Sequence, residues 1–285
     1  MKRIIRKILR IRKNETVADG VSRHISQIKK LFYKKKISQN ELKSLLSDLG
    51  IKKGDTLIVH CSWRNCFMLD MSPSAFIDVL LDLLGDEGTL LMPSFPYKHD
   101  KFNVNQDVSA AGVLSEVFRN RESTVRSSFP KGTMSGYGKS AREIIDGHRN
   151  SIYEYDSKSP YSNAILAHDA KILLVGMGLH PHKISAFHCG SYDAKSNNEL
   201  LNKTYSKDCK SLITKDDTTF EFKYVDRIPG CRNNKSSFRR LFNKTPHQTI
   251  TRKGFNAILF RGYDAYTKAY EYCSGGKTLY RYANK

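Results

Sequence analysis

No run of apolar residues in the chain reaches the roughly 18 that a membrane-spanning helix needs, so nothing in it is expected to cross a bilayer. Cysteine is sparse and unpaired in pattern. Cys61, Cys66, Cys189, Cys209, Cys231 and Cys273 are scattered over 285 residues without C-x-x-C spacing or a secretory signal. Reduced thiols in a cytoplasmic protein are the simple expectation, not a disulfide framework. There is no G-x-S-x-G nucleophile elbow and no G-x-x-x-x-G-K-[ST] phosphate loop. Gly176-Met177-Gly178 follows an apolar run, but the third glycine of a dinucleotide fingerprint is missing and Pro181 interrupts the helix that should follow. No internal repeat is visible.

Acidic residues are the other scarcity. Asp and Glu number 28 against 48 Lys and Arg, a formal net charge of +20. Residues 1–36 hold 13 of the basic residues and only Glu15 and Asp19, a net of +11 that leaves +9 for the rest. Such a chain attracts anions (nucleic acid, acidic lipid, nucleotide or coenzyme phosphates) and repels polycations. Basic residues interleave with aromatics at 29–36, but no RNA-binding motif accompanies them, so nucleic acid is not the expected partner. The segment MKRIIRKILRIR (1–12) places Ile4, Ile5, Ile8, Leu9 and Ile11 on one side of a helix and Arg or Lys on the other. That pattern suits an anionic membrane surface, and a frayed solvated tail is its plainer alternative.

With 14 Phe and 15 Tyr, the remainder reads as globular. Ser38-Gln39-Asn40-Glu41 resembles a capping box ahead of Leu42, Leu45, Leu46 and Leu49, with Gly50 closing the helix. TLIVHCS (56–62) reads as a buried strand, 74–84 as an amphipathic helix ended by Gly85, and 89–92 as a strand stopped by Pro93. Helices are expected at 111–119 and 141–148, and a strand over 171–175 that runs into Gly176. This alternation predicts an α/β layered sheet with flanking helices, 37–285, behind a basic helical leader, 1–36. Beyond about 200 the pattern changes. Residues 218–226 alternate like an exposed antiparallel strand, 229–240 reads as a polar basic loop, and 255–272 mixes strand and helix signals.

His180, His182, His188 and Cys189 cluster just past a strand end, where ligands bind in α/β sheets. Pro181 and Lys183 lie among them and no second ligand pair is evident, so no metal site is expected.

Several pieces, in order, resemble the aminoglycoside 3-N-acetyltransferase family. Gly54-Asp55-Thr56-Leu57-Ile58-Val59-His60-Cys61-Ser62 is similar to its G-D-T-L-x-V-H-x-S opening. Gly112, Leu114, Glu116 and Arg119 resemble its G-x-L-x-E-x-x-R helix. Arg126-Ser127-Ser128-Phe129-Pro130 resembles its R-S-x-H-P turn, with Phe129 in place of His. Ser185-Ala186-Phe187-His188 resembles its T-x-x-H. The resemblance is strong over about 38–195 and weaker beyond.

It implies the antibiotic acetyltransferase fold and acyl transfer from acyl-CoA, acetyl-CoA first, to an amine, with His188 as general base. An imidazole of ordinary pKa near 6.5 can take the amine proton at neutral pH. The family carries an acid three residues after the histidine; here that position is Ser191. Asp193 is the expected substitute partner for the ring, with Glu116 as the alternative. Ser62, Arg64, Arg126 and Ser127 are the expected coenzyme A contacts, against turn capping for Ser127 and a solvated charge for Arg64.

The charge points to an amino sugar carried on a nucleotide diphosphate as acceptor, for surface polysaccharide synthesis at the inner membrane face. An aminoglycoside antibiotic is the alternative. A non-catalytic basic protein binding nucleic acid or membrane is the third reading. The expected partners are thus a small-molecule amine, an anionic membrane through residues 1–36, and a second copy in a homodimer.

Overall fold

The computed structural model describes residues 17–178 and 180–282. The amphipathic segment at 1–12 lies outside them. The chain enters the body at Ile37, which is fully buried and whose carbonyl accepts from the Asp70 amide at 3.0 Å.

The strands are β1 (Thr56–Cys61), β2 (Thr89–Pro93), β3 (Lys101–Asn103), β4 (Val125–Arg126), β5 (Met134–Gly138), β6 (Lys171–Val175), β7 (Lys207–Lys215), β8 (Thr218–Asp226), β9 (Cys231–Asn233), β10 (Gln248–Arg252), β11 (Phe255–Arg261) and β12 (Tyr280–Tyr282). Seven form the main sheet in the order β10-β11-β6-β1-β2-β5-β4. Its centre, β6-β1-β2, is parallel, and its flanks are antiparallel. The central strands are apolar on successive residues because both faces are covered. Leu57, Val59, Leu90, Met92, Leu173 and Val175 pack under the helices Gln39–Asp48 and Pro73–Leu84. Ile58, Leu91, Ile172 and Leu174 face the opposite layer, with Ile165, Phe187, Phe238 and Ala269. Burying each leucine-sized side chain contributes about 2 kcal/mol. The layered α/β expectation therefore holds.

Local details refine the sequence-based expectations. The Ser38 hydroxyl accepts from the Glu41 amide at 3.3 Å, as a capping box requires, but the Glu41 carboxylate turns away to Lys253 at 2.7 Å. The helix expected over 74–84 spans Pro73–Leu84 and is capped by Ser72, with Pro73 in its first turn. The expected strand over 218–226 is β8, and it forms a hairpin with β7 that turns at Asp216 and Asp217 in the left-handed region. Residues 229–240 are not a loop. They hold β9 and most of the helix Lys235–Asn243, which buries Phe238, Leu241 and Phe242 under a basic outer face. The mixed signal at 255–272 resolves into β11 followed by the helix Gly262–Ser274.

Phe129 is fully buried and stacks on His148, ring centroids 4.6 Å apart and planes 4° from parallel. It packs against Phe222 and Tyr224 of β8, joining the three-stranded sheet β3-β7-β8 to the body.

Burial pushes the His148 pKa down to about 3. The unfolded chain binds this proton near pH 6.5. His148 thus contributes stability that is full above about pH 6.5 and is lost as the pH falls towards 3. In urea unfolding between pH 7 and 5, His148→Gln is expected to flatten the dependence of stability on pH by up to about 1.4 kcal/mol per pH unit. An unchanged slope would show that the folded protein binds the proton at His148 already.

Candidate active site

The carboxyl ends of β1 and β6 meet where open α/β sheets bind ligands. Asn65 ties them together: its side-chain amide donates to the Gly176 carbonyl at 2.7 Å and to the Ser62 hydroxyl at 3.2 Å. Gly176 adopts φ +62°, and a Cβ there would stand 3.0 Å from both Cys66 Sγ and the Ser62 carbonyl. The chain then passes through the 3-10 turn Pro181–Lys183 into the helix Ser185–Asp193. The His60 ring lies 3.5 Å from the Ser185 hydroxyl, and desolvation followed by Lys183 holds its pKa down to about 4.

Residues 185–192 are buried without a break. The helix Gly262–Ser274 crosses them so closely that a Cβ on Gly190 would fall 2.2 Å from the Tyr266 carbonyl. His188, 5 % exposed, stands between Tyr155 and Phe238, with ring centroids 5.0 and 5.1 Å away. Both ring nitrogens are engaged. Nε2 lies 3.0 Å from the His182 carbonyl and Nδ1 lies 3.0 Å from the Tyr280 hydroxyl. A carbonyl only accepts, so Nε2 carries the proton and Tyr280 donates to Nδ1.

The chain of hydroxyls continues behind Tyr280. Tyr205 donates to Tyr280 at 3.1 Å, Ser191 lies 3.2 Å from Tyr205, and the Cys273 thiol lies 3.6 Å from Ser191. With each group donating to the next, the network is satisfied from Cys273 to the imidazole. Ser191, at the family's acid position, thus reaches His188 through two tyrosines. The imidazole does not keep the ordinary pKa near 6.5 expected of it: desolvation chiefly, followed by the nearby Arg227, pushes the His188 pKa down to about 3. Arg227 lies over the Tyr280 ring, 4.9 Å from its centroid, and donates to the Asn233 side chain at 2.8 Å.

Other expected residues are placed differently. Asp193 accepts from the Tyr266 hydroxyl at 2.8 Å and does not bond His188. Five residues along a helix is about 140° around its axis, whereas the three residues to Ser191 keep it on the same side. Glu116 is held by Arg119 at 2.7 Å and by the Ser109 amide at 2.7 Å, away from the imidazole. Arg126 is buried, and its guanidinium donates to the carbonyls of Ser94, Val104 (3.0 Å) and Asp107 (2.7 Å). It clamps main chain and is not presented to a phosphate. The Ser127 hydroxyl accepts from the Met134 amide at 3.0 Å and lies 2.8 Å from His148 Nδ1, an internal capping role. Ser62 and Arg64 do sit at the carboxyl edge of β1, with Arg64 exposed.

Cys189 is buried and desolvation holds its thiol well above the usual range, which disfavours a thiolate nucleophile. Among the described residues, no three His, Cys, Asp or Glu side chains are grouped to hold a metal ion. Sequence reasoning missed Tyr280, Tyr205, Tyr155 and Arg227. None of the four lies in a motif, and Tyr280 is 92 residues from the histidine it touches.

A family model described as aminoglycoside 3-N-acetyltransferase matches residues 58–272. Aminoglycoside N(3)-acetyltransferase IV of Salmonella sp is 32% identical over 146 residues, covering 48% of this chain and 53% of that protein. The chain spans about half the length of the curated relatives it matches. Aminoglycoside acetyltransferase AAC(3)-IVa in complex with a gentamicin superposes with a TM-score of 0.70 at 25% identity, covering 84% of this chain and 89% of that one. AAC-IIIb in binary complex with CoASH shares the fold, with a TM-score of 0.71 at 16% identity, covering 85% and 98%. With three quarters of its length matched by that family model, the chain belongs to the aminoglycoside 3-N-acetyltransferase family.

Proposed function

We propose that the protein transfers an acetyl group from acetyl-CoA to an amine of an aminoglycoside, with His188 as general base. The observation that carries this is the fully packed imidazole, wired at Nδ1 to a buried hydroxyl chain, on the family's T-x-x-H helix. Relatives described as binding a gentamicin or CoASH support the two substrates. Ser62 and Arg64 remain the candidate coenzyme contacts.

The reaction forms a C–N bond and breaks the thioester C–S bond. The amine nitrogen gives up a proton and the departing thiolate takes one, so a single base can accept and return it. For Nε2 to receive the proton, the His182 carbonyl must release it and Nδ1–H must donate to Tyr280. A hydroxyl accepts as readily as it donates, so Tyr280 supports both tautomers. Unlike a carboxylate, it adds no charge to stabilise an imidazolium. Burial chiefly, and Arg227 after it, oppose an imidazolium and keep His188 neutral across the physiological range. The same cation lowers the pKa of an incoming ammonium and favours its free-amine form. Direct attack on the thioester suits this site better than an acyl-enzyme at Cys189.

A second acceptor, an amino sugar on a nucleotide diphosphate, is favoured by one observation. The charged groups acting on His180, His182 and His188 are cations and imidazoles. Such surroundings suit phosphate and disfavour a polycation. Peripheral membrane contact also belongs to this second reading. In the helix Val17–Phe32, Ile25, Ile28 and Phe32 are exposed on one side, ahead of exposed Lys34, Lys35 and Lys36.

Three outcomes are expected. His188→Ala should reduce acetyl-CoA-dependent thiol release at least 100-fold; retained turnover would remove His188 from the mechanism. Kanamycin, gentamicin, and UDP- and dTDP-linked amino sugars, assayed in parallel, separate the two acceptors. Tyr280→Phe keeps the ring and removes the hydroxyl; kcat should fall on the order of 10-fold with little change in KM, and an unchanged kcat would make Tyr280 packing alone. In the third, the full chain should sediment with phosphatidylserine-containing vesicles, and Ile28→Asp with Phe32→Asp should reduce that binding. Equal sedimentation of the variant would dismiss the helix as the contact.

A further inference from the structure

Many cations of this protein have a carboxylate beside them. Lys171 pairs with Asp55, Lys131 with Asp226, Arg119 with Glu116 and Lys253 with Glu41. Lys183, Lys235 and Arg239 are exposed and make no ion pair among the described residues. Packing gathers these three on one side of the base. Lys183 ends the turn Pro181–Lys183, whose His182 carbonyl holds His188. Lys235 and Arg239 stand four residues apart on the helix Lys235–Asn243, which packs on that turn. The inner face of this helix carries Phe238 against the His188 ring, 5.1 Å between centroids.

His180 and His182 share the surface, with rings 5.7 Å apart. Burial first lowers the pKa of both, followed by Lys183, Lys235 and Arg239 at His180 and by Lys235, His180 and Lys183 at His182. Lys235 and Arg239 at i and i+4 repel one another. An un-neutralised group of this kind costs free energy in the empty protein and returns it when an anion binds. Arg supplies a planar fork and Lys a mobile ammonium, both suited to phosphate oxygens, and a neutral imidazole can donate one further hydrogen bond.

We propose that Lys183, Lys235 and Arg239, with His180 and His182, form a phosphate-binding site adjoining His188. The phosphate could be supplied by the diphosphate or 3′-phosphate of acyl-CoA, or by a phosphorylated amino-sugar acceptor. Only the naming of that source rests on the acyl-transfer reading. If the coenzyme supplies it, its phosphates would screen the cations before a polycationic acceptor approaches, and binding would be ordered with coenzyme first.

The test is calorimetric titration of the full chain with inorganic pyrophosphate, CoA and UDP-glucosamine. Wild type is compared with Lys235→Glu/Arg239→Glu and with the milder Lys235→Gln/Arg239→Gln, both at exposed positions. Wild type should bind pyrophosphate, more weakly as salt rises, and both variants should lose at least 10-fold in affinity with Tm unchanged. A parallel loss for CoA assigns the site to the donor; a loss for UDP-glucosamine with CoA unchanged assigns it to the acceptor. No pyrophosphate binding by wild type, or equal binding by the variants, overturns the proposal. Pyrophosphate binding needs no turnover, so an inactive protein that still binds it would fail the acyl-transfer reading and leave this one standing.

Discussion

The sealing of the helix Ser185–Asp193 between the main sheet and the helix Gly262–Ser274 is the constraint on which the site depends. Gly190 makes it feasible, because any side chain there would strike the Tyr266 carbonyl. Once the crossing is that close, residues 185–192 have no contact with bulk water to rely on. A buried imidazole must then find its hydrogen-bond partners inside the protein, since leaving either nitrogen unpaired costs roughly 1–3 kcal/mol. The partners it finds are a main-chain carbonyl from the preceding turn and a tyrosine from the last strand. Its low pKa follows from the same burial.

That arrangement differs in character from a carboxylate–imidazole pair. A carboxylate fixes one tautomer and favours the charged ring. The chain Tyr280–Tyr205–Ser191–Cys273 is neutral at every step, and its hydroxyls can reverse direction. A negative charge in this position would also face Arg227, which is already packed on Tyr280. A neutral relay leaves the surroundings of His188 positive, and Lys183, Lys235 and Arg239 extend that sign to the surface. Lys171, Lys131, Arg119 and Lys253 are each paired with a carboxylate, whereas Lys183, Lys235 and Arg239 beside His188 make no ion pair among the described residues.

Much of the framework was legible in the sequence, and what escaped did so for physical reasons. The strands at 56–61, 89–93 and 171–175 announce themselves through continuous β-branched and leucine runs, because both faces of each are buried. Ser38 identifies a helix start by local hydrogen bonding. Phe238, Leu241 and Phe242 already show helical spacing, but the Lys, Arg and Ser around them resemble a loop; only burial of one face makes the pattern decisive. Asp193 attracted attention as the acid nearest His188 in sequence, yet helical rotation turns it towards Tyr266. Arg126 and Ser127 occupy the right motif, but buried carbonyls and His148 claim their hydrogen bonds.

The sequence by itself determined the alternation of helices and strands, the excess of positive charge and the motif that singles out His188. Those properties arise from periodicity, composition and contacts between near neighbours, which survive in a one-dimensional string. The tertiary structure decided what His188 touches, which hydroxyls stand behind it, and which cations are left without carboxylates. Hydrogen-bond partners 92 residues apart, and charges brought together by two packed elements, come from the way the layers close. No local pattern encodes them.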